Sequence, residues 1–272
     1  MNGLILCNHK RAKHPLYIEE LGIHIFTGEE LCYVIYHHLF PVQEKMINHK
    51  LAEFIRDELD YRDLAEKIDI KLKDVKKTDE ILMDILKDIP YFSLPELSQF
   101  RDYLGRIKRM NLPQLLFEKA NYYMGRKRYR ISIKYCEEIL KYDESQINSD
   151  EGFLGRTWSQ LAKAYVNLFE FQSAVEAYEK AYEYGKEKSI LKKIFFLTQI
   201  QENLKVSENI SNRITLEKRM KWGEELAGIQ SEVMAGGRVV EVSRLFQKDS
   251  IRRREGTGYL FHNWKAEYRN MV

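Results

Sequence analysis

The chain has 272 residues, 44% of them apolar and 31% charged, and a formal net charge of +3. Large apolar side chains spread along the whole length exclude a disordered protein, and so small a charge excess makes no demand for nucleic acid as a partner. The 14 glycines and 5 prolines are too few for a turn-rich all-β protein, and three scattered cysteines (Cys7, Cys32, Cys136) argue against a disulfide framework and for a reducing compartment.

The first ~40 residues are the least regular part of the chain. Leu4-Ile5-Leu6 and Ile23-His24-Ile25-Phe26 are short apolar runs that suit either extended chain or buried helix. The apolar run at the N-terminus has its charges behind it, the reverse of a secretory signal, and nothing approaches the ~18 uncharged apolar residues of a membrane span. A cytoplasmic protein without membrane contact is expected. Thr27-Gly28-Glu29-Glu30 reads as a capping box that starts a helix stopping near Pro41.

From Glu44 the helical period is clear. Ile47, Leu51, Phe54, Ile55 and Leu59 form one apolar stripe and predict a single long helix. Leu64, Ile68 and Leu72 mark a shorter helix, and Ile81 to Ile89 another that ends at Pro90. Ser93-Leu94-Pro95-Glu96 is a second capping box, followed by Leu97, Phe100, Leu104 and Ile107 at helical spacing. Asn111 and Pro113 then start the next helix.

The strongest pattern is Trp158-x2-Leu161-Ala162-x2-Tyr165-x5-Phe171-x2-Ala174-x3-Tyr178-x2-Ala181. Bulky and small residues alternate at fixed offsets, as two antiparallel helices require where their backbones approach closely. A weaker copy precedes it: Ala120, Tyr123, Tyr129, Ser132, Cys136 and Ile139 each lie 42 residues before a counterpart. Downstream, Ile190, Leu191, Ile194, Phe195, Leu197 and Ile200 make a helix apolar on most sides, which predicts burial between neighbours.

The Trp158–Ala181 pattern closely resembles the tetratricopeptide repeat, with Ala162 standing where that family places glycine. The resemblance extends over about Pro113–Lys205. The family period is about 34 residues, so the longer spacing of the first copy fits an extended polar connection across Asp143–Gly152. The resemblance implies stacked helical hairpins whose first helices line a concave groove. Carried onto this chain, that face is Gln114, Phe117, Asn121 and Met124 from the first unit, and Arg156, Ser159, Gln160, Lys163, Val166 and Asn167 from the second. Asn121 and Asn167 are placed to bridge N–H and C=O groups of an extended peptide. Some members clamp acidic C-terminal tails of chaperones with lysines, an arginine and asparagines. Here Phe117 stands at the first clamp lysine, Gln160 at an asparagine, and Ile190 and Ile194 at the other basic positions. Asn121 alone matches.

Past Lys205 a long helix is expected through Ile214, Met220, Leu226, Ile229 and Val233, broken at Gly236-Gly237. Val239–Arg254 reads as a further helix. Gly256 and Gly258 then precede a last short one carrying Tyr259, Phe261, Trp264 and Tyr268, which suits a cap on the repeat stack or a hold on a partner.

Other clusters read more simply. Cys7, His9 and His14 with Cys32, His37 and His38 carry groups suited to zinc, but their spacing matches no paired-knuckle pattern. They read as ordinary surface and half-buried residues. No Gly-rich phosphate loop, Gly-x-Ser-x-Gly elbow or His-Glu-x2-His helix is present, so no catalytic residue, metal ligand or cofactor is assigned. Arg126–Arg130 and Arg252–Arg254 are basic clusters that read as solvated faces. Leu59–Val75 faintly resembles a helix-turn-helix, although Lys71–Lys77 lacks the arginine, asparagine or glutamine that would read base edges.

The expected protein is all-α: a mostly helical N-terminal domain over residues 1–110, then a repeat solenoid with capping helices over 111–272. Its expected work is non-catalytic, a scaffold or adaptor that holds a protein or peptide partner. The alternative is a peptide-responsive DNA-binding regulator using residues 59–75.

Overall fold

The computed structural model describes residues 11–74, 77–142, 152–247 and 249–271. The chain divides into two units, Met1–Met110 and Asn111–Val272.

The first unit opens with a small antiparallel hairpin, β1 (Leu16–Ile18) and β2 (Ile23–Ile25), in the register Leu16↔Ile25 and Ile18↔Ile23. The turn uses Gly22 at φ +65°, a conformation in which a side chain is strained. The apolar run at Ile23 is therefore extended; Leu4–Leu6 lie outside the described residues. Helix α1 (Gly28–His37) starts at the Thr27 box, where Thr27 Oγ1 accepts from the Glu30 amide at 3.2 Å and Glu30 returns a carboxylate oxygen to the Thr27 amide.

The long helix expected from Glu44 is two pieces. After α2 (Leu39–Pro41) and a π-helical turn (Val42–Met46), Asn48 adopts an extended backbone and its side chain accepts from the Leu51 amide at 3.2 Å. That side chain caps a new helix, α3 (His49–Glu53), which runs into a second π-helical turn (Phe54–Glu58). A short amide side chain competes with the helical backbone, and here it wins. Helices α4 (Arg62–Lys71), α5 (Thr78–Asp88) and α6 (Leu94–Arg109) follow. Ile35, Ile55, Ile68, Leu82, Ile85 and Ile89 are among the buried aliphatics of this unit.

The second unit is built from successive packed hairpins: α7 (Leu112–Gly125) with α8 (Tyr129–Ile139), then α9 (Phe153–Asn167) with α10 (Phe171–Gly185), then α11 (Lys188–Ile200) against α10. Both hairpins turn the same way. Lys127 (φ +58°) and Phe169 (φ +61°) are left-handed, and the next amide bonds back to Tyr123 O at 2.9 Å in one and Tyr165 O at 3.0 Å in the other. A left-handed non-glycine residue costs ~1–2 kcal/mol, so a shared turn of this kind reinforces the kinship of the two copies.

Small residues let these helices close. Ala162, Ala164, Ala174 and Ala181 are buried, and Tyr178 fills the space beside them with 4% of its surface exposed. Trp158 and Tyr165 pack half-buried against the same core. Ser132, at the position of Ala174 in the first copy, spends its hydroxyl on the Ala120 carbonyl at 2.8 Å.

Downstream come α12 (Glu208–Arg213), α13 (Leu216–Ala235), α14 (Gly237–Phe246) and α15 (Ser250–Met271). The Trp222 ring of α13 lies 5.9 Å from Phe195, and Lys192 pairs with Glu225. The sequence reading ran one helix to Arg254 and put a short one after Gly258. Instead the break falls before Ser250, where Asp249 accepts from the Ile251 and Arg252 amides, and α15 runs straight through both glycines. Gly256 packs against Leu245: a methyl group on it would stand 2.5 Å from Leu245 Cδ2, and that side chain would have to shift.

Candidate functional site

A cleft of about 460 Å³ opens across the repeat unit, between the first helices of consecutive hairpins. Helix α7 supplies Phe117 and Asn121. Helix α9 supplies Arg156, Ser159, Gln160 and Lys163, which share one face because they recur at three- and four-residue steps. Helix α11 supplies Ile190 and Lys193, with Glu187 at its N-cap. Glycines 152, 155 and 185 and Ala181 keep the cleft open where larger side chains would fill it.

Three cations (Arg156, Lys163, Lys193) and one carboxylate (Glu187) line the cleft among the described residues. Burial, then the Lys163 ammonium, hold the Lys193 pKa below its ordinary value, while Glu187 acts the other way. The Lys193 ammonium also lies 5.6 Å from the Tyr178 ring centre. Neither lysine has a carboxylate at ion-pair distance among the described residues.

Gln160 keeps only 7% of its surface exposed, yet among the described residues its amide finds no hydrogen-bond partner; the same holds for the Asn121 amide and the Ser159 hydroxyl. The Gln160 amide atoms are not among the buried unpaired ones, so they stay open to the cleft and available to a ligand.

The other expected groove residues lie elsewhere. Gln114 accepts from the Asn111 amide at 3.2 Å and so completes the cap of α7. Met124 and Val166 pack against the core. Asn167 donates to the Lys163 carbonyl at 2.8 Å, one turn back on its own helix, which occupies the amide expected to hold a peptide. Sequence reasoning missed Lys193 and Glu187 because α11 reads as apolar on most sides. The signal was present: Lys193 follows Ser159, and Ile190 follows Arg156, by 34 residues, the family period.

A second cavity, of about 670 Å³, lies beside Trp158 and Tyr165 and carries four carboxylates. Each is already used. Glu137 accepts from Tyr165 Oη, Glu176 from Gln172, Glu179 from the Ser207 amide, and Glu183 pairs with Lys180. Burial, then the Glu137 charge, push the Tyr165 phenol up to about 12.

The described histidines and cysteines scatter to separate partners. His14 meets Glu58 at 2.7 Å, His49 meets Asp69 at 3.1 Å, His24 packs on Tyr17, and His37 packs on Tyr33. Cys32 is a buried free thiol pushed up to about 12 by burial and then by Glu29. Cys7 and His9 lie outside the described residues, among which no group of three metal-ligating side chains occurs. The basic clusters are partly neutralised, with Arg130 on Glu170 at 2.5 Å and Arg252 on Asp249 at 3.6 Å.

Over residues 59–75, α4 ends at Lys71 and no recognition helix starts there; Val75 lies outside the described residues. The following helix, α5, buries Ile81, Leu82, Ile85 and Leu86. Lys67 pairs with Asp88 and Lys71 with Asp84.

Residues 155–184 match the family model described as tetratricopeptide repeat. This segment is a tetratricopeptide repeat. The match spans α9 and α10, so the repeat's first helix is the one that carries Arg156, Ser159, Gln160 and Lys163. Helices α7 and α8 lie outside the matched residues and share with this hairpin the 42-residue spacing and the left-handed turn. No curated protein and no solved structure matches the chain. Among the described residues no helix is long and apolar enough to cross a membrane.

Proposed function

We propose that the chain is a non-catalytic scaffold or adaptor whose cleft holds an extended peptide segment of a protein partner. Tetratricopeptide hairpins commonly serve protein–protein interaction, which makes the cleft the natural seat. The observation that carries the reading is the Gln160 amide, nearly buried, lining the cleft and without a partner among the described residues. An extended peptide offers one N–H and one C=O per residue, the complement of a carboxamide. Asn121 on α7 adds a second amide on the same cleft, so a peptide would be fixed by its backbone while the cleft walls select side chains. A cytoplasmic location belongs to this reading, supported by the buried free thiols Cys32 and Cys136.

Affinity purification of the full chain from its native cells, beside an Asn121→Ala/Gln160→Leu variant of equal melting temperature, tests this. The expected result is a protein partner retained by the first and lost by the second, with an excised peptide of that partner sufficient to bind. A partner held equally by both, or turnover of a metabolite with no macromolecule recovered, contradicts it.

A further inference from the structure

We infer that the peptide held in the cleft is acidic, with carboxylates set between Lys163 and Lys193 and near Arg156; this rests on the peptide-binding reading above. The cleft places three cations against one carboxylate among its described lining residues. Lys163 of α9 and Lys193 of α11 line the same cleft, and the Lys163 charge works against protonation of Lys193. Like charges converging on a half-buried cleft cost stability unless an opposite charge enters. Neither ammonium has a carboxylate at ion-pair distance among the described residues; Glu187 acts on Lys193 from farther away.

These cations are not the ones that the chaperone-tail clamp would use, whose basic positions here hold Phe117, Ile190 and Ile194. The two isoleucine positions lie on the same helix as Lys193, and Ile190 shares the cleft with it. The cleft therefore pairs its cations with apolar surface: the Phe117 ring, packed 5.4 Å from Phe153, and Ile190. A segment that matches it alternates acidic residues with an apolar side chain. Carboxylate oxygens then take the ammonium protons as hydrogen bonds, and the amides of Asn121 and Gln160 take the backbone. A nucleic acid would share the negative charge, but the cleft offers it one aromatic ring beside two carboxamides suited to a peptide backbone.

The test is selection of peptides from a random phage-displayed library on the full chain at low ionic strength. A selected peptide is then synthesised with its Glu→Gln, Asp→Asn counterpart. The inference expects selected sequences enriched in Asp and Glu, with the amide counterpart about tenfold or more weaker and affinity falling as salt rises. The Lys163→Gln/Lys193→Gln variant should bind both peptides alike, and the single exposed Lys163→Glu variant should weaken the acidic peptide and spare the neutral one. Selection of neutral or basic peptides that still need Asn121 and Gln160 overturns the acidic partner and leaves peptide binding standing. No peptide selected at all overturns both. A single-stranded oligonucleotide that displaces the acidic peptide and binds tighter through the same lysines overturns the inference in favour of nucleic acid.

Discussion

Gly155 of α9 lies against Gly185 at the end of α10: a methyl group on Gly155 would stand 3.1 Å from the Gly185 nitrogen and 3.3 Å from its Cα. The contact is with backbone, which cannot rotate away, and it closes the hairpin at the rim of the cleft. The relation is one-sided, because a methyl group on Gly185 meets nothing within 4 Å. Gly155→Val is therefore expected to destabilise the chain by ~2–3 kcal/mol, and Gly185→Ala to be neutral or stabilising by up to ~1 kcal/mol. Urea unfolding of the two variants measures the difference; equal effects would refute the close approach.

The ring of Tyr178 is the large partner in the alanine-lined interface. Tyr178→Ala should cost ~3–5 kcal/mol, the range for emptying an aromatic site in a packed core. Tyr165 is half-buried and its hydroxyl donates to Glu137 Oε1 at 3.2 Å, so Tyr165→Phe should cost no more than ~1 kcal/mol. Thermal melts of both variants check the ordering, and a Tyr178→Ala melt like that of the parent chain would contradict it.

Lys193 has a pH consequence. Its pKa is lowered in the folded chain, so the unfolded chain binds that proton more tightly. Protonated Lys193 thus weighs against folding at every pH below its folded pKa, and the penalty fades as pH rises from there towards the ordinary value of 10.5. Lys163→Gln removes part of the cause and should move the Lys193 pKa upward, and a bound acidic peptide should do the same. Titration followed by NMR of the lysine side-chain carbons reads both shifts. No movement with either would show that the two ammonium groups do not share the cleft.

Cys32 and Cys136 are buried thiols pushed up to about 12, chiefly by burial. The thiolate is the reactive form, so iodoacetamide at pH 8 should leave both unmodified until the chain is unfolded in denaturant. Peptide mass spectrometry after native and denatured labelling gives the answer. Rapid native labelling of either would place it at the surface.

Much of this architecture was legible because it depends on local spacing. Thr27 with Glu30 and Ser93 with Glu96 announced two helix starts, and both boxes are formed. Trp158 to Ala181 announced a close-packed hairpin, since small residues at fixed offsets from rings have few other uses. What was missed depends on competition or on distance. Asn48 reads as one polar residue in a helical stripe, and only its bond to the Leu51 amide shows that it ends one helix and starts another. Gly256 reads as a helix breaker, yet α15 runs through it with the Leu245 side chain of another helix packed beside it. In the cleft, the face of α9 could be read from its own period, and Arg156, Ser159, Gln160 and Lys163 do line one space. Asn167 carries the same chemistry at a neighbouring position, but its side chain turns back to donate to the Lys163 carbonyl of its own helix. Lys193 was hidden by the apolar residues around it on α11.

The central claim is that a partner's peptide completes the hydrogen bonding of Gln160. Calorimetric titration of a library-selected peptide into the full chain and into Gln160→Leu tests it most directly, since leucine keeps the volume and removes the amide. The account expects affinity to fall by about tenfold or more, or at least ~1.4 kcal/mol, with the melting temperature maintained because the Gln160 amide makes no hydrogen bond among the described residues. Unchanged affinity in the leucine variant would contradict it.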